Sequence, residues 1–250
     1  MQFSTEDMEK RGMNKKICVL LPAYNEAQNI QKLIQEIRTI VQDIVVIDDG
    51  SRDETARLAR RAGAVVISHK RNQGKGVALK TGFNYALGKG YHGVITMDAD
   101  GQHLPGEIKN FLLCVETDDP DIILGSRMHD PKGMPPHRLW TNLFTSWLIS
   151  RRAGQKIEDC QSGFRCISSR VLEKTELVTR TFDTEPELLM RASWHGFKIH
   201  HVPITSVYLP NSISRINPIV DTWRFFALVF RSFRWERNIR RAKNTPGVYP

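Results

Sequence analysis

The sequence predicts an α/β domain with a mostly parallel central sheet flanked by helices, followed by an amphipathic C-terminal helical segment. Short, β-branched apolar runs alternate with helical patterns through the first half of the 250-residue chain. Polar, acid-rich residues follow several of these runs. Hydrophobic residues make up 40% of the chain and charged residues 25%, which is ordinary for a globular protein with a sizeable core.

Five apolar runs have the length and composition of buried parallel strands. They are Ile17–Leu21, Ile44–Ile47, Val65–Ile67, Val94–Met97 and Ile122–Leu124. Between the first two, apolar residues recur at helical spacing and predict an amphipathic crossover helix over residues 30–41. Weaker helical patterns cover Asp53–Arg61, Lys75–Leu87 and Leu104–Val115. Such alternation predicts right-handed strand–helix–strand connections.

The pattern changes after Arg127. Residues 129–137 contain three prolines and a glycine and are predicted to form a loop. Helical patterns follow around Leu139–Ser150 and Glu185–Trp194, and strand-like runs at Lys198–Val202 and Ile204–Leu209. We therefore divide the chain into a tail over residues 1–13, a main domain over 14–210 and a basic, aromatic helical extension over 211–250.

Charge and cysteine content limit the partners and the compartment. A formal net charge of +9 favours anionic partners, namely nucleic acid, phosphorylated small molecules or an anionic membrane surface. The four cysteines form no C-x-x-C pair, so we expect reduced thiols in a cytosolic compartment. No apolar run reaches about 18 residues, and we expect no membrane-spanning helix.

The segment Asp98-Ala99-Asp100 carries the most specific chemical signal. It follows the fourth strand, and ligands of parallel α/β sheets bind beyond the carboxyl ends of the strands. Side chains two residues apart on extended backbone point the same way, so both carboxylates can face one divalent ion. Such hard oxygen ligands suit Mg²⁺ or Mn²⁺. A second D-x-D, Asp119-Pro120-Asp121, precedes a strand instead of following one, and we expect it to be structural.

Two further segments are compatible with a nucleotide ligand. Asp48 and Asp49 follow the second strand, where they can either cap the next helix or accept hydrogen bonds from a base or ribose; we favour the ligand role. The glycine-rich segment over residues 72–76 precedes a helix but is neither a Walker loop nor a dinucleotide fingerprint.

Six motifs occur in one order along the chain. They are Pro22-Ala23-Tyr24-Asn25-Glu26, Asp48-Asp49-Gly50-Ser51-x-Asp53, Asn72-x-Gly74-Lys75-Gly76, Asp98-x-Asp100-Gly101-Gln102, Gly125-Ser126-Arg127 and Asp159-x-Gln161-Ser162-Gly163-Phe164-Arg165. In this order they resemble the motifs of family 2 inverting glycosyltransferases of the GT-A fold. The resemblance extends to the branch of dolichol-phosphate mannose synthases and polyprenyl-phosphate glycosyltransferases, and it covers roughly Lys16 to Leu209.

The resemblance implies roles for individual residues. Catalytic roles would fall to Asp100, Arg127, Arg138 and Glu185, although the roles of Glu185 and Glu187 vary in the family. Nucleotide binding would fall to Pro22, Ala23, Tyr24, Glu26, Asp49, Lys75 and Asp98. The acceptor would contact Arg138, Asp159, Ser162 and Arg165. The metal, Mg²⁺ or Mn²⁺, would be held by Asp98, Asp100 and Gln102.

The implied reaction moves a sugar from a GDP- or UDP-sugar to a polyprenyl or dolichyl phosphate with inversion. A lipid phosphate is already anionic and needs no general base, which suits the arginine-rich second half of the chain. Two alternatives stay open: a family 2 transferase with a soluble or polysaccharide acceptor, and a non-catalytic basic protein that binds nucleic acid. The carboxylates at the strand ends argue against the second alternative.

The C-terminal extension predicts a membrane-surface helix. From Pro218, a residue suited to a helix start, apolar residues fall at spacings of four and three on one stripe. The stripe consists of Ile219, Trp223, Phe226, Phe230 and Phe233. Further apolar residues lie outside the stripe, and basic residues follow it. We therefore expect a peripheral enzyme on the cytoplasmic face of a membrane, with packing on the protein's own core or oligomerisation as alternatives.

Overall fold

A seven-stranded sheet forms the centre of the molecule. The computed structural model describes residues 15–205 and 218–244, with side chains of the second range described from Trp223 to Arg241. The strands are β1 (Ile17–Ala23), β2 (Ile44–Asp48), β3 (Val65–Ser68), β4 (Gly93–Thr96), β5 (Ile122–Ser126), β6 (Arg165–Ser168) and β7 (Ile199–Pro203). Their order across the sheet is β3-β2-β1-β4-β6-β5-β7.

Helices connect the strands and flank the sheet. They are α1 (Ile30–Arg38), α2 (Thr55–Arg61), α3 (Lys75–Gly88), α4 (Ile108–Asp118), α5 (Pro136–Ala153), α6 (Ser169–Lys174), α7 (Thr184–His195) and α8 (Pro218–Asn244). A short 3₁₀ turn, Pro105–Glu107, precedes α4. Helix α1 is amphipathic, as its sequence predicts: the apolar residues that recur at helical spacing are the ones buried against the sheet.

Strand β6 runs against the direction of its neighbours. It pairs antiparallel with β4 on one side and with β5 on the other, whereas the remaining described strand pairs are parallel. Strands β4 and β5 are therefore parallel to each other. Because β6 is reversed, the loop that precedes it lies at the carboxyl ends of the parallel strands. Arg165, the first residue of β6, is in register with Thr96 of β4 and with Leu124 of β5.

Alternate residues of the strands build two apolar layers, one on each face of the sheet. On one face Leu20 and Ile47 pack with residues of α3, α5, α6, α7 and α8. On the other face Val19 and Val46 pack with residues of α1, α2 and α4. Because both faces of these strands are buried, their sequences consist of continuous apolar runs.

The structure confirms the predicted fold class and the five predicted strands to within a few residues. One detail is wrong: β3 is not buried, because it forms an edge of the sheet and Val65 is 47% exposed. Strand β6 and helix α6 were not predicted. The run Lys198–Val202 corresponds to β7, whereas residues 206–209 of the next predicted strand lie outside the described residues.

Helix α8 begins at Pro218, as its sequence predicts. It packs against the main domain through residues outside the predicted stripe, with Leu228 and Ser232 fully buried. The described stripe residues Trp223, Phe226, Phe230 and Phe233 are between 40% and 77% exposed. Apolar residues outside the stripe, such as Leu228 and Val229, therefore form the packing face, and the stripe faces solvent. No helix in the described ranges has the length and apolar content needed to cross a bilayer.

Candidate active site

The polar segments predicted from sequence meet at one edge of the sheet. Strands β1, β2, β4 and β5 end there, and the loop before β6 arrives at the same edge because β6 is antiparallel. Five segments that lie far apart in the chain thus meet around one site, which we call the cleft, as expected for a ligand site beyond the carboxyl ends of parallel strands.

The loops after β1 and β2 are joined by hydrogen bonds. The Asp53 carboxylate accepts from Ala27 N at 3.1 Å and from Thr55 N at 3.0 Å, and Thr55 Oγ1 accepts from Glu26 N at 2.8 Å. Asn25 adopts a left-handed backbone conformation, with φ of 54°, and its side chain accepts from Arg52 N. These contacts fix the turn that presents the predicted nucleotide-binding residues at the end of β1. Those residues are Pro22, Ala23, Tyr24 and Glu26.

Asp49 organises the glycine-rich loop. Its buried carboxylate accepts hydrogen bonds from Gln73 N at 2.9 Å and Gly74 N at 2.8 Å, and Oδ1 lies 2.6 Å from His69 Nδ1. The second ring nitrogen of His69 lies 3.0 Å from Thr81 Oγ1. Asp49 therefore places the loop that leads into Lys75, in addition to its predicted role in nucleotide binding. His69 was missed by the sequence analysis, although it directly follows β3 and the strand-end rule could have found it.

Lys75 links two acids at the centre of the cleft. Its Nζ lies 2.6 Å from Asp98 Oδ1 and 3.0 Å from Glu185 Oε1. Burial disfavours the charged ammonium, but the two carboxylates outweigh it and raise the pKa of Lys75 above its usual range. Burial likewise works against ionisation of Asp98, yet Lys75 holds the pKa of that carboxyl below its ordinary value. The Lys75 ammonium and the Asp98 carboxylate are thus both charged at neutral pH.

Asp98 and Asp100 provide oxygen ligands of the kind that Mg²⁺ and Mn²⁺ prefer. No cluster of three or more acidic, histidine or cysteine side chains that could hold a metal occurs within the described residues. A site made of two carboxylates still fits these ions, because Mg²⁺ commonly takes one or two protein carboxylates together with substrate phosphates and water. The backbone amide of Gln102 donates to Asp100 Oδ1 at 3.0 Å and orients that carboxylate.

Glycine at position 163 allows the loop before β6 to reach Asp98. A Cβ at this position would lie 2.7 Å from Asp98 Oδ2, so any other residue here would displace the Asp98 carboxylate. His103 Nε2 lies 3.9 Å from the same oxygen, and burial lowers the pKa of His103 to about 4. The His103 ring is therefore neutral at neutral pH and adds no charge to the site. Its Nδ1 is buried without a hydrogen-bond partner in the described part of the chain.

Arg127 is held by a buried carboxylate. Its Nε and Nη2 donate to the two oxygens of Asp159 at 2.6 and 2.8 Å, and Asn142 Nδ2 donates to Asp159 Oδ1 at 2.8 Å. Burial opposes ionisation of Asp159, but Arg127 outweighs it and lowers the pKa. Arg138 lies half-buried one helical turn before Asn142, so the two residues share a face of α5. The predicted residues Arg127 and Asp159 thus come together, and Arg138 lies on the face of α5 that carries Asn142.

Two other predicted acceptor residues lie inside the protein. Arg165 is 1% exposed and donates to the carbonyl oxygens of Cys160, Ser162 and Glu185 at 2.7–2.8 Å. This guanidinium therefore shapes the loop before β6 and joins it to α7. Ser162 is fully buried, and its Oγ has no hydrogen-bond partner among the described residues.

The structure separates the two acids of α7. Glu185 reaches Lys75, whereas Glu187 is fully buried and accepts from Arg191 Nε, Thr179 Oγ1 and backbone amides of the preceding loop. Glu187 thus stabilises the loop, and Glu185 faces the cleft. The second D-x-D lies directly before β5, at the amino ends of the parallel strands and away from the cleft. There Asp119 pairs with Lys15 and Asp121 with Arg170. Its expected structural role agrees with these contacts.

The fold is that of solved GT-A enzymes. Crystal structures of glucosyl-3-phosphoglycerate synthase from Mycobacterium tuberculosis superpose with a TM-score of 0.71 for the complex with Mn²⁺, UDP and glucosyl-3-phosphoglycerate. That match is 18% identical and covers 94% of this chain and 85% of the other. At this identity the likeness concerns the fold.

Relatives in sequence extend over most of the chain. A UDP-N-acetylglucosamine–dolichyl-phosphate N-acetylglucosaminyltransferase from Methanococcus voltae is 28% identical, over 85% of this chain and 94% of its own length. A polyprenol monophosphomannose synthase from Mycolicibacterium smegmatis is 29% identical, over 86% of both chains. The family model described as "Glycosyl transferase family 2" matches residues 18–176. The chain belongs to glycosyl transferase family 2, and it is a glycosyltransferase.

Proposed function

We propose that the enzyme moves one sugar from a GDP- or UDP-sugar to a polyprenyl or dolichyl phosphate, with inversion at the anomeric carbon. The relatives from Methanococcus voltae and Mycolicibacterium smegmatis, whose names describe sugar transfer to such lipids, support this acceptor class. The observation that carries the proposal is the Lys75 ammonium between Asp98 and Glu185. Because Glu185 is engaged by Lys75, it is poorly suited to take a proton from a hydroxyl acceptor. A phosphate acceptor requires no such base.

The donor and the acceptor each need positive charge at a different stage. The nucleotide diphosphate gains negative charge as the sugar leaves, and Lys75 is held close to Asp98, where the donor phosphates would lie. A divalent cation bound by Asp98 and Asp100, with Gln102 nearby, would supply further charge neutralisation to the diphosphate. Arg127 and Arg138 would hold the acceptor phosphate, with Asp159 and Asn142 fixing the Arg127 guanidinium.

The enzyme would act while attached to a membrane surface through α8. The exposed aromatic stripe and the basic residues of this helix support such attachment, since each basic residue near anionic lipid contributes about 1 kcal/mol. All four cysteines are free thiols, which suits the reducing cytoplasmic face.

The donor and metal parts of the proposal are tested by comparing Asp100→Ala with Asp118→Ala. Asp118 is an exposed acid at the opposite edge of the sheet and serves as the control. We expect Asp100→Ala to lower kcat by about 100-fold or more and to abolish the thermal shift produced by a sugar nucleotide with Mg²⁺ or Mn²⁺. Asp118→Ala should behave like the wild type.

Three results would contradict the proposal in separable ways. Full activity in EDTA would exclude the metal. The absence of a thermal shift with every GDP- and UDP-sugar would exclude the donor class. Transfer to a soluble sugar acceptor, with none to a short-chain polyprenyl phosphate in micelles, would favour the alternative family 2 activity.

A further inference from the structure

Helix α5 exposes a second stripe of large apolar side chains, which we call the α5 face. Trp140, Leu143, Phe144 and Trp147 recur at spacings of three and four and are between 44% and 73% exposed. The Phe144 and Trp147 rings lie 6.2 Å apart, so the face is continuous. Contiguous aromatic surface of this kind on a soluble domain marks a contact site.

The opposite side of the same helix reaches the active site. Asn142, Thr145, Ser146 and Ile149 are buried. Asn142 donates to Asp159, the carboxylate that holds Arg127, and the Oγ of Ser146 accepts from Cys160 N in the loop before β6. Helix α5 therefore separates the cleft from the α5 face by its own width.

The charge around the α5 face fits an anionic partner. No acidic residue occurs in Pro136–Ala153, and basic residues stand at both ends of the helix. At the C-terminal end the Arg151 guanidinium lies 5.7 Å from the centre of the Trp147 ring. Tryptophan beside arginine is the combination that settles at the boundary between lipid headgroups and acyl chains.

The α5 face and the exposed stripe of α8 belong to the same layer of the molecule. Both helices pack on the same side of the sheet. Arg152 of α5 joins them, since its Nε donates to Ser232 Oγ at 2.9 Å and its guanidinium lies 3.7 Å from the centre of the Phe233 ring. Glu236, the only acid from Trp223 to Arg241, is paired with Arg152 and Arg240. Both helices thus expose aromatic and basic side chains on this side of the sheet.

We propose that the α5 face is a membrane-contact surface that inserts its aromatic side chains into the interface of an anionic bilayer. The helix that carries Asn142 would then lie against the lipid, and an acceptor phosphate held in that bilayer would approach Arg127 along α5. This last step rests on the proposed function. The contact of the α5 face with lipid does not depend on it.

The experiment compares two double variants of the full chain in sedimentation with vesicles of phosphatidylcholine and phosphatidylglycerol. Trp140→Glu with Trp147→Glu removes aromatic surface from the α5 face. Val65→Glu with Leu113→Glu is the matched control, because these residues are 47% and 50% exposed on β3 and α4, away from this layer. We expect the tryptophan variant to lose about tenfold or more in vesicle binding and the control to bind like the wild type.

Sugar-nucleotide binding and the thermal midpoint should be the same in both variants, since none of the four side chains contributes to the core or the cleft. Equal vesicle binding by the tryptophan variant and the wild type would overturn the proposal, as would an equal loss in the control. Dimers of the wild type that dissociate in the tryptophan variant, with vesicle binding unchanged, would assign the face to a second copy of the chain. Transfer to a short-chain polyprenyl phosphate in micelles tests the proposed function separately, because it requires no bilayer.

Discussion

At the scale of single residues, the pair formed by Arg127 and Asp159 combines a structural and a chemical role. The Asp159 carboxylate is fully buried, and Arg127 donates two side-chain hydrogen bonds to it. Removing one partner of a buried ion pair leaves an uncompensated charge, which typically costs about 3–5 kcal/mol. Loss of activity in an Arg127 variant alone would therefore not distinguish a catalytic effect from a loss of stability.

A double-mutant cycle separates the two effects. Arg127→Ala and Asp159→Ala should each lower the free energy of unfolding by about 3–5 kcal/mol, and the double variant should lose less than the sum. Transfer activity should stay low in the double variant, because the guanidinium is still missing. Urea denaturation and initial rates measure the two quantities.

The pair Arg170 and Asp121 provides the control for this cycle, because it is partly exposed at the opposite edge of the sheet. The double-mutant cycle of this control pair should give a coupling free energy of at most about 1 kcal/mol, and its variants should keep nearly full transfer activity. Recovery of activity in the Arg127→Ala, Asp159→Ala double variant would show that the guanidinium serves stability alone.

Asp119 allows a prediction of pH dependence far from the cleft. The ammonium of Lys15 at 2.7 Å lowers the pKa of Asp119 below its ordinary value of 3.8, against partial burial, and His92 at 2.8 Å contributes to the shift. A carboxylate whose pKa is depressed by folding contributes stability above its ordinary pKa and loses that contribution as the pH falls towards the folded value.

We therefore expect Asp119→Asn to lower the thermal midpoint by a few degrees at pH 6, with the difference shrinking below pH 3.8. Asparagine suits this test because it tolerates the left-handed backbone that Asp119 adopts, with φ of 44°. Thermal unfolding of both proteins from pH 6 to about pH 2 measures the difference. A difference that does not change with pH would contradict the assignment.

At the scale of elements, α8 shows what periodicity can and cannot predict. The sequence predicted its start at Pro218 and a stripe from Ile219 to Phe233, of which the side chains from Trp223 onward are described. Periodicity alone did not reveal which face packs, because Leu228 and Val229 are as apolar as the stripe residues. Only the position of the sheet and of α7 decides that Leu228 is buried while Phe230 is 77% exposed.

Truncating a side chain on the packed face of α8 should lower stability, whereas truncating one on the exposed face should weaken membrane binding. Leu228→Ala should lower the free energy of unfolding by about 2–5 kcal/mol, because it leaves a cavity in the core. Phe230→Ala should change stability by less than about 0.5 kcal/mol and should instead weaken vesicle binding. Urea denaturation and vesicle sedimentation of the two variants test this, and a larger loss of stability in Phe230→Ala would reverse the assignment of faces.

Strand β6 shows the opposite limit of sequence reasoning. It has four residues, begins with Arg165 and follows a loop, so no periodic pattern marks it. Its place between β4 and β5 depends on backbone hydrogen bonds to strands that lie about 40 and 70 residues earlier in the chain. The fully buried guanidinium of Arg165 could not be predicted from a motif that suggested a ligand contact.

At the scale of the whole molecule, the motifs were predictable because one rule governs their position. Strands in a parallel sheet deliver their carboxyl ends to one edge, so Asp49, Asp98 and Arg127 converge however far apart they lie in the sequence. The pairing of Lys75 with Glu185 and the support of Asp49 by His69 depend on side-chain packing across elements, which spacing does not encode. The sequence thus identified which segments meet, and the structure shows which atoms touch.

The inserted position of β6 also predicts an order in which the strands assemble during synthesis on the ribosome. Strands β1 to β4 form a contiguous block, complete once Thr96 has emerged, whereas β5 borders only β6 and β7. A nascent chain can therefore form the hydrogen bonds among β1, β2, β3 and β4 early. Strand β5, by contrast, has no partner strand until Arg165–Ser168 has been synthesised. We therefore expect the half of the cleft that carries Asp98 to form first and the half that carries Arg127 to be added about 70 residues of synthesis later.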